Sequence, residues 1–98
     1  MHLKDYKEDM IQRLKDPEYA AEYLSQVLAE KDSAAFLIAL KDVVEAAGGM
    51  SQLAERVDIK RPNLYKTLSK NGNPRFNTLQ EILGSLGMRV SVELDKVA

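Results

Sequence analysis

Lys60, Arg61, Asn63, Lys66, Thr67 and Lys70 form a row of hydrogen-bond donors with no carboxylate among them. These types suit an acceptor-rich ligand. Arg or Lys can pair with guanine O6 and N7 and Asn with adenine N6 and N7, while Thr can reach a base or a phosphate. The chemistry they fit is therefore recognition of duplex nucleic acid. An ordinary solvated helix would mix Glu with Lys at such positions. The donors continue through Asn71, Asn73 and Arg75, and six bases between Arg56 and Arg75 face a single acid, Asp58. A local excess of this kind is what a phosphate-facing surface needs, even though the overall pI is near 5.8.

Those residues need a scaffold that aims them. Residues 50–68, MSQLAERVDIKRPNLYKTL, read as two short helices joined by a tight turn, the layout of a helix-turn-helix. Ser51 is expected to cap the first helix, with Leu53, Ala54 and Val57 facing inward. Asp58 occupies a turn position where Gly is common, and Asp tolerates positive φ better than most residues. Ile59 anchors the turn. Pro62 starts the second helix, whose inner face is Leu64, Tyr65 and Leu68; the Tyr65 hydroxyl could reach a phosphate, but inward packing is the expectation. Residues at the start of such a recognition helix usually meet base edges. Lys60, Arg61 and Asn63, with Lys66 one turn on, are thus the expected base readers, and Thr67 shares their face. Lys70, Asn71, Asn73 and Arg75 are expected to hold phosphates, as is Gln52 near the N-terminus of the preceding helix.

The rest of the chain reads as supporting helices. Tyr6, Met10, Ile11 and Leu14 give a weak helical pattern. Asp16-Pro17 is a clearer start, followed by a stripe of Ala20, Tyr23, Leu24, Val27 and Leu28. Asp32-Ser33 opens a helix with Phe36, Leu37, Leu40, Val43, Val44 and Ala47 inward, and Gly48-Gly49 stops it. After the loop 70–74, Asn77 and Gln80 resemble a capping box for a helix burying Leu79, Ile82, Leu83 and Leu86, and ending at Gly87. Val90, Val92 and Leu94 then alternate with polar residues, as in a half-buried strand. A lone strand leaves its backbone groups unpaired, so the same strand of a second copy is the expected partner. The fold expectation is all-α, about five helices around a helix-turn-helix, with a short C-terminal β-strand. Residues 1–15 form an N-terminal segment, and residues 16–98 the domain with its dimerisation strand.

Composition narrows the function classes. Ninety-eight residues make one small domain. The first 50 residues carry ten acids against six bases, and the remainder eight bases against five acids. With no cysteine there is no disulfide, thiolate nucleophile or zinc-finger site. No apolar run approaches the roughly 20 residues of a membrane span, and the N-terminus lacks the apolar stretch of a signal peptide. A cytoplasmic protein is expected. His2 lies at a chain end, and Asp5, Glu8 and Asp9 read as a solvated acidic face rather than a metal site. No phosphate-cradling glycine loop and no nucleophile–base set is present, so neither enzyme activity nor a cofactor or metal is expected.

The runs DPEYAAEYLSQVLAEKD, AAFLIALKDVVEAAGGMSQLAERVDIKRPNLYKTLS and GNPRFNTLQEILGSLGMRVSV, from Asp16 to Val92, strongly resemble antidote (antitoxin) proteins of type II addiction modules. The domain type is similar to HigA and lambda-repressor-like DNA-binding proteins. The resemblance implies a cognate RelE/HigB-type ribonuclease toxin as partner, repression of the shared operon, and a homodimer on a palindromic operator. The chain departs from the common pattern at Asp58, where glycine is usual, and at Lys60, where serine is frequent. Because such toxins are basic, the acidic residues 1–50 are the expected toxin-facing surface. Two other readings stay open: a stand-alone phage-type repressor without a toxin, and a protein-interaction module that has lost DNA binding.

Overall fold

The computed structural model describes residues 3–96, all helix and connecting segments, with His2 outside that range. The helices are α1 (Leu3–Leu14), α2 (Pro17–Ala29), α3 (Ser33–Ala46), α4 (Met50–Val57), α5 (Arg61–Thr67) and α6 (Phe76–Ser85). The all-α expectation holds, with the weak N-terminal pattern counted as a full helix.

The starts of α2 and α3 follow from aspartate chemistry. Asp16 is extended and accepts from the Glu18 backbone N–H at 3.0 Å, with Pro17 behind it. Asp32 accepts from the Ala35 N–H at 3.1 Å. Each side chain satisfies one of the donors that a helix start leaves without an intrahelical partner. Gly48 and Gly49, at φ 124 and 94, close α3 in a Schellman arrangement. The Gly49 N–H donates to the Val44 carbonyl at 2.9 Å, and the Gly48 N–H to the Glu45 carbonyl at 3.4 Å. Gly87, at φ 75, closes α6 in the same way, with the Met88 N–H donating to the Leu83 carbonyl at 2.8 Å.

Two expected caps are not used. Gly49, not Ser51, precedes α4: its carbonyl accepts from the Leu53 N–H at 3.2 Å, so the chain passes from one helix into the next with no residue left to cap by its side chain. Helix α6 starts at Phe76 behind an extended Arg75, whose carbonyl accepts from the Leu79 N–H at 3.1 Å. That places Asn77 within the first turn, where it cannot act as the cap.

One hydrophobic core runs through the molecule. Leu40 of α3, Leu64 of α5, Leu68 just beyond it and Ile82 of α6 are fully buried, and Leu14, Ala20 and Leu24 carry the core into α1 and α2. Burying a Leu or Ile side chain contributes roughly 1.5–3 kcal/mol relative to exposure, so α3 joins both halves. Leu28, expected inward, is exposed and borders a groove of about 350 Å³ between α2, α6 and the C-terminal segment. Tyr6 and Tyr19 are exposed as well, while Tyr23 is half-buried.

The expected C-terminal strand does not form: among the described residues there is no β-structure. The physical reason is the one that made a partner necessary, since among the described residues no other strand is present to pair with. Val92 and Leu94 are more than nine-tenths exposed and Val90 is 37% exposed. An exposed Lys31–Asp95 pair at 3.9 Å lies between the end of α2 and this segment.

Candidate nucleic-acid interface

Helix α4, the turn at 58–60 and helix α5 build the candidate surface. Met50, Leu53 and Val57 are buried on α4, and Ala54 and Ile59 are half-buried beside them. Asp58 sits at φ 54, ψ 42, the left-handed conformation that the sequence required of it. Lys60 is extended and makes no side-chain cap, so α5 starts without the hydroxyl bond a Ser would supply. Its carbonyl still accepts from the Asn63 and Leu64 N–H groups, at 2.9 and 3.1 Å.

With Leu64 and Leu68 fully buried, the remaining positions of α5 other than half-buried Thr67 are exposed. Lys60, Arg61, Asn63 and Lys66 are exposed, as are Lys70, Asn71, Asn73 and Arg75 in and after the loop. The structure thus carries eight of the ten expected donors on one exposed run. The other two have local partners. Thr67 is half-buried, and its hydroxyl donates to the Asn63 carbonyl at 2.8 Å. Gln52 is exposed, but with its amide oriented to suit its neighbours it donates to the Ala47 carbonyl at 3.2 Å and accepts from Arg56 Nη2 at 3.3 Å. Gln52 therefore braces α4 against the end of α3. Arg56 also reaches the Ser85 carbonyl of α6 at 3.5 Å.

The loop after α5 is held tightly. Ser69 Oγ donates to the Lys66 carbonyl at 2.8 Å, and the Gly72 N–H donates to the Ser69 carbonyl at 2.8 Å. A Cβ on Gly72 would collide with the Thr67 carbonyl oxygen, so the close return of the chain requires glycine. This geometry fixes where Lys70 and Asn71 stand relative to α5.

Tyr65 corrects an expectation. It is 40% exposed rather than part of the inner face. Arg61 lies over its ring at 5.5 Å from the centroid, and Lys41 of α3 lies at 5.5 Å from the same centroid. Arg61 Nη2 is 3.5 Å from the Tyr65 hydroxyl oxygen. Sequence reasoning missed Lys41 entirely. No spacing rule connects a residue of α3 to α5, and only the packing of the core brings it there.

The acidic half is separate. Asp5, Glu8, Asp9, Glu18 and Glu22 of α1 and α2 are exposed. Among the described residues no group of His, Cys, Asp or Glu is arranged to hold a metal ion, and no helix is long and apolar enough to cross a membrane. The Asp42 carboxyl is raised above the ordinary carboxylate range by burial, against the opposing pull of Lys7. Burial also raises the Tyr23 hydroxyl, with Asp42 adding to the effect.

Fold and surface together define a small all-helical protein with a helix-turn-helix pair carrying an exposed, acid-free basic row. Over residues 4–94 the chain matches the family described as "probable addiction module antidote protein", and it belongs to that family. It is also 35% identical over 96 residues to a Haemophilus influenzae (strain Rd) protein named only as uncharacterized, an alignment covering 98% of this chain and 96% of the relative. No solved structure matches it. Membership carries a role in a toxin–antitoxin system and a cognate toxin as partner.

Proposed function

We propose that this antidote protein binds DNA, represses its own operon from a palindromic operator, and neutralises a RelE/HigB-type ribonuclease toxin. The observation that carries the DNA reading is the exposed, acid-free row Lys60, Arg61, Asn63, Lys66, Lys70, Asn71, Asn73 and Arg75 on α5 and its loop. Asn63 and Lys66 stand well round the helix from Leu64 and Leu68, with Lys60 at its start, which suits base edges in the major groove. Lys70, Asn71, Asn73 and Arg75 suit the flanking phosphates.

A two-fold dimer fits this reading. Val90, Val92 and Leu94 alternate along a segment without regular secondary structure, with Val92 and Leu94 more than nine-tenths exposed. The same segment of a second copy offers the complementary edge, beside the apolar groove next to Leu28. Such a dimer presents two recognition helices about 34 Å apart. The acidic surface of α1 and α2 suits a basic toxin, whose encounter it would accelerate.

The test is a titration against a duplex from upstream of its own gene, beside a scrambled duplex at near-physiological salt. A preference of about 10³ or more for its own duplex is expected. Lys66→Ala and Asn63→Ala should each lose on the order of 1–3 kcal/mol of it. Equal weak binding to both duplexes would overturn the repressor reading.

A further inference from the structure

We propose that Lys41, Arg61 and Tyr65 together bind one phosphate group. This rests on the DNA reading above for its source, a backbone phosphate at the edge of the major groove. It gives Arg61 a role different from base reading and extends the surface onto α3.

Three observations carry it. First, cations from two helices converge on one ring: Lys41 Nζ and Arg61 Cζ each lie 5.5 Å from the Tyr65 centroid. Second, the charges are not neutralised. Among the described residues neither cation makes an ion pair. Asp42, adjacent to Lys41, is drawn on first by Lys7 and only to a lesser degree by Lys41, which leaves the Lys41 charge largely uncompensated. The ring attracts both cations, but the two repel one another, and an anion between them relieves that repulsion. A phosphate suits the fork of a guanidinium and the point charge of an ammonium. The Tyr65 hydroxyl, 3.5 Å from Arg61 Nη2, stands ready as a third donor. Third, Arg61 and Tyr65 are four residues apart and share one flank of α5. That flank adjoins the inward face of Leu64 and Leu68, whereas Asn63 and Lys66 lie farther round. A side chain on the flank of a helix in the major groove meets the strand that borders the groove.

Two measurements test the site. In the first, the protein is titrated with sodium phosphate at constant ionic strength, with chloride as control, while NMR follows the Arg61 Nε–H and the Tyr65 ring. Saturable shifts are expected there, and they should vanish in Lys41→Met. In the second, Lys41→Met, Arg61→Met and Tyr65→Phe are titrated with the protein's own upstream duplex and a scrambled one across a range of salt. Lys41→Met should weaken both duplexes by the same factor, roughly three- to tenfold, and flatten the log–log salt slope by about 0.9. Arg61→Met should do likewise, and the double variant should lose less than the two losses multiplied. Tyr65→Phe keeps the stacking and should lose about threefold or less. The proposal is overturned if phosphate produces no saturable shift and Lys41→Met binds both duplexes like the parent. In that case a preserved preference for its own duplex leaves the DNA reading standing. Arg61→Met shifting preference between base-substituted duplexes would also overturn it. Phosphate shifts in a protein that binds neither duplex would keep the phosphate site and discard the DNA reading.

Discussion

The two halves of this molecule share a core and differ in almost everything outside it. The first 50 residues, which hold α1–α3, carry ten acids against six bases, whereas the remainder carries eight bases against five acids. The frontier runs through adjacent residues of α3. Lys41 reaches Tyr65 of α5, while Asp42 interacts with Lys7 of α1 and Tyr23 of α2. Burial is blind to this division, since Leu40, one residue earlier, is fully buried in the core common to both. Surface charge can therefore differ sharply between two halves that share one core.

The largest expected effect lies in the shared core. Leu40→Ala should cost about 2–5 kcal/mol and lower a single denaturant transition. Two separate transitions would mean that the halves are independent. Gly72→Ala acts on the basic half alone. Its new Cβ meets the Thr67 carbonyl oxygen, and a loss of about 1–3 kcal/mol is expected by thermal melting. A melting temperature equal to the parent's would show that the loop can reopen cheaply.

Charge reversal sharpens the contrast. The triple change Glu8→Lys, Glu18→Lys and Glu22→Lys alters exposed positions of α1 and α2 and leaves buried Leu14, Ala20 and Leu24 intact. Deleting those helices would instead strip cover from α3. Stability should move by only about 0.5 kcal/mol per site and binding to the upstream duplex should persist, while association with the adjacent-gene toxin slows tenfold or more. Surface plasmon resonance reads both, and an unchanged toxin on-rate would remove the acidic half from partner recognition.

The smallest effect sits at the frontier. Burial holds the Asp42 carboxyl above its ordinary value, so the folded state binds that proton more tightly than the unfolded state does. Stability from this group is full at lower pH and is lost as pH rises from the ordinary carboxylate value through the raised one. Asp42→Asn should remove this slope and leave the protein slightly more stable at neutral pH, as urea denaturation at pH 3.5 and 7 would show. A steeper pH dependence in the variant would reverse the assignment.

Much of the scaffold was legible because its signals are local. Asp16-Pro17, Asp32, Gly48-Gly49 and Asp58 each act on the backbone within a few residues, so their meaning survives without neighbours. The misreadings have a common origin. Ser51 and Asn77 are good caps in isolation, but Gly49 and Arg75 begin the helices sooner. Leu28 and Tyr65 follow an inward period, yet among the described residues the faces they occupy are only partly covered, Tyr65 by Lys41 of α3 and Leu28 by the rim of a groove. Strand periodicity at 88–94 states what a partner edge would meet and cannot supply that edge.

By itself the sequence determined the helical class, the left-handed turn at Asp58 and the acid-free row from Lys60 to Arg75, because propensity, capping and charge are properties of short stretches. Thr67 and Gln52 being engaged locally, Tyr65 being partly exposed, and Lys41 joining Arg61 on its ring all follow from packing. Those outcomes depend on how α3, α4 and α5 pack around Leu40, Leu64 and Leu68. Packing brings together residues that no sequence interval relates.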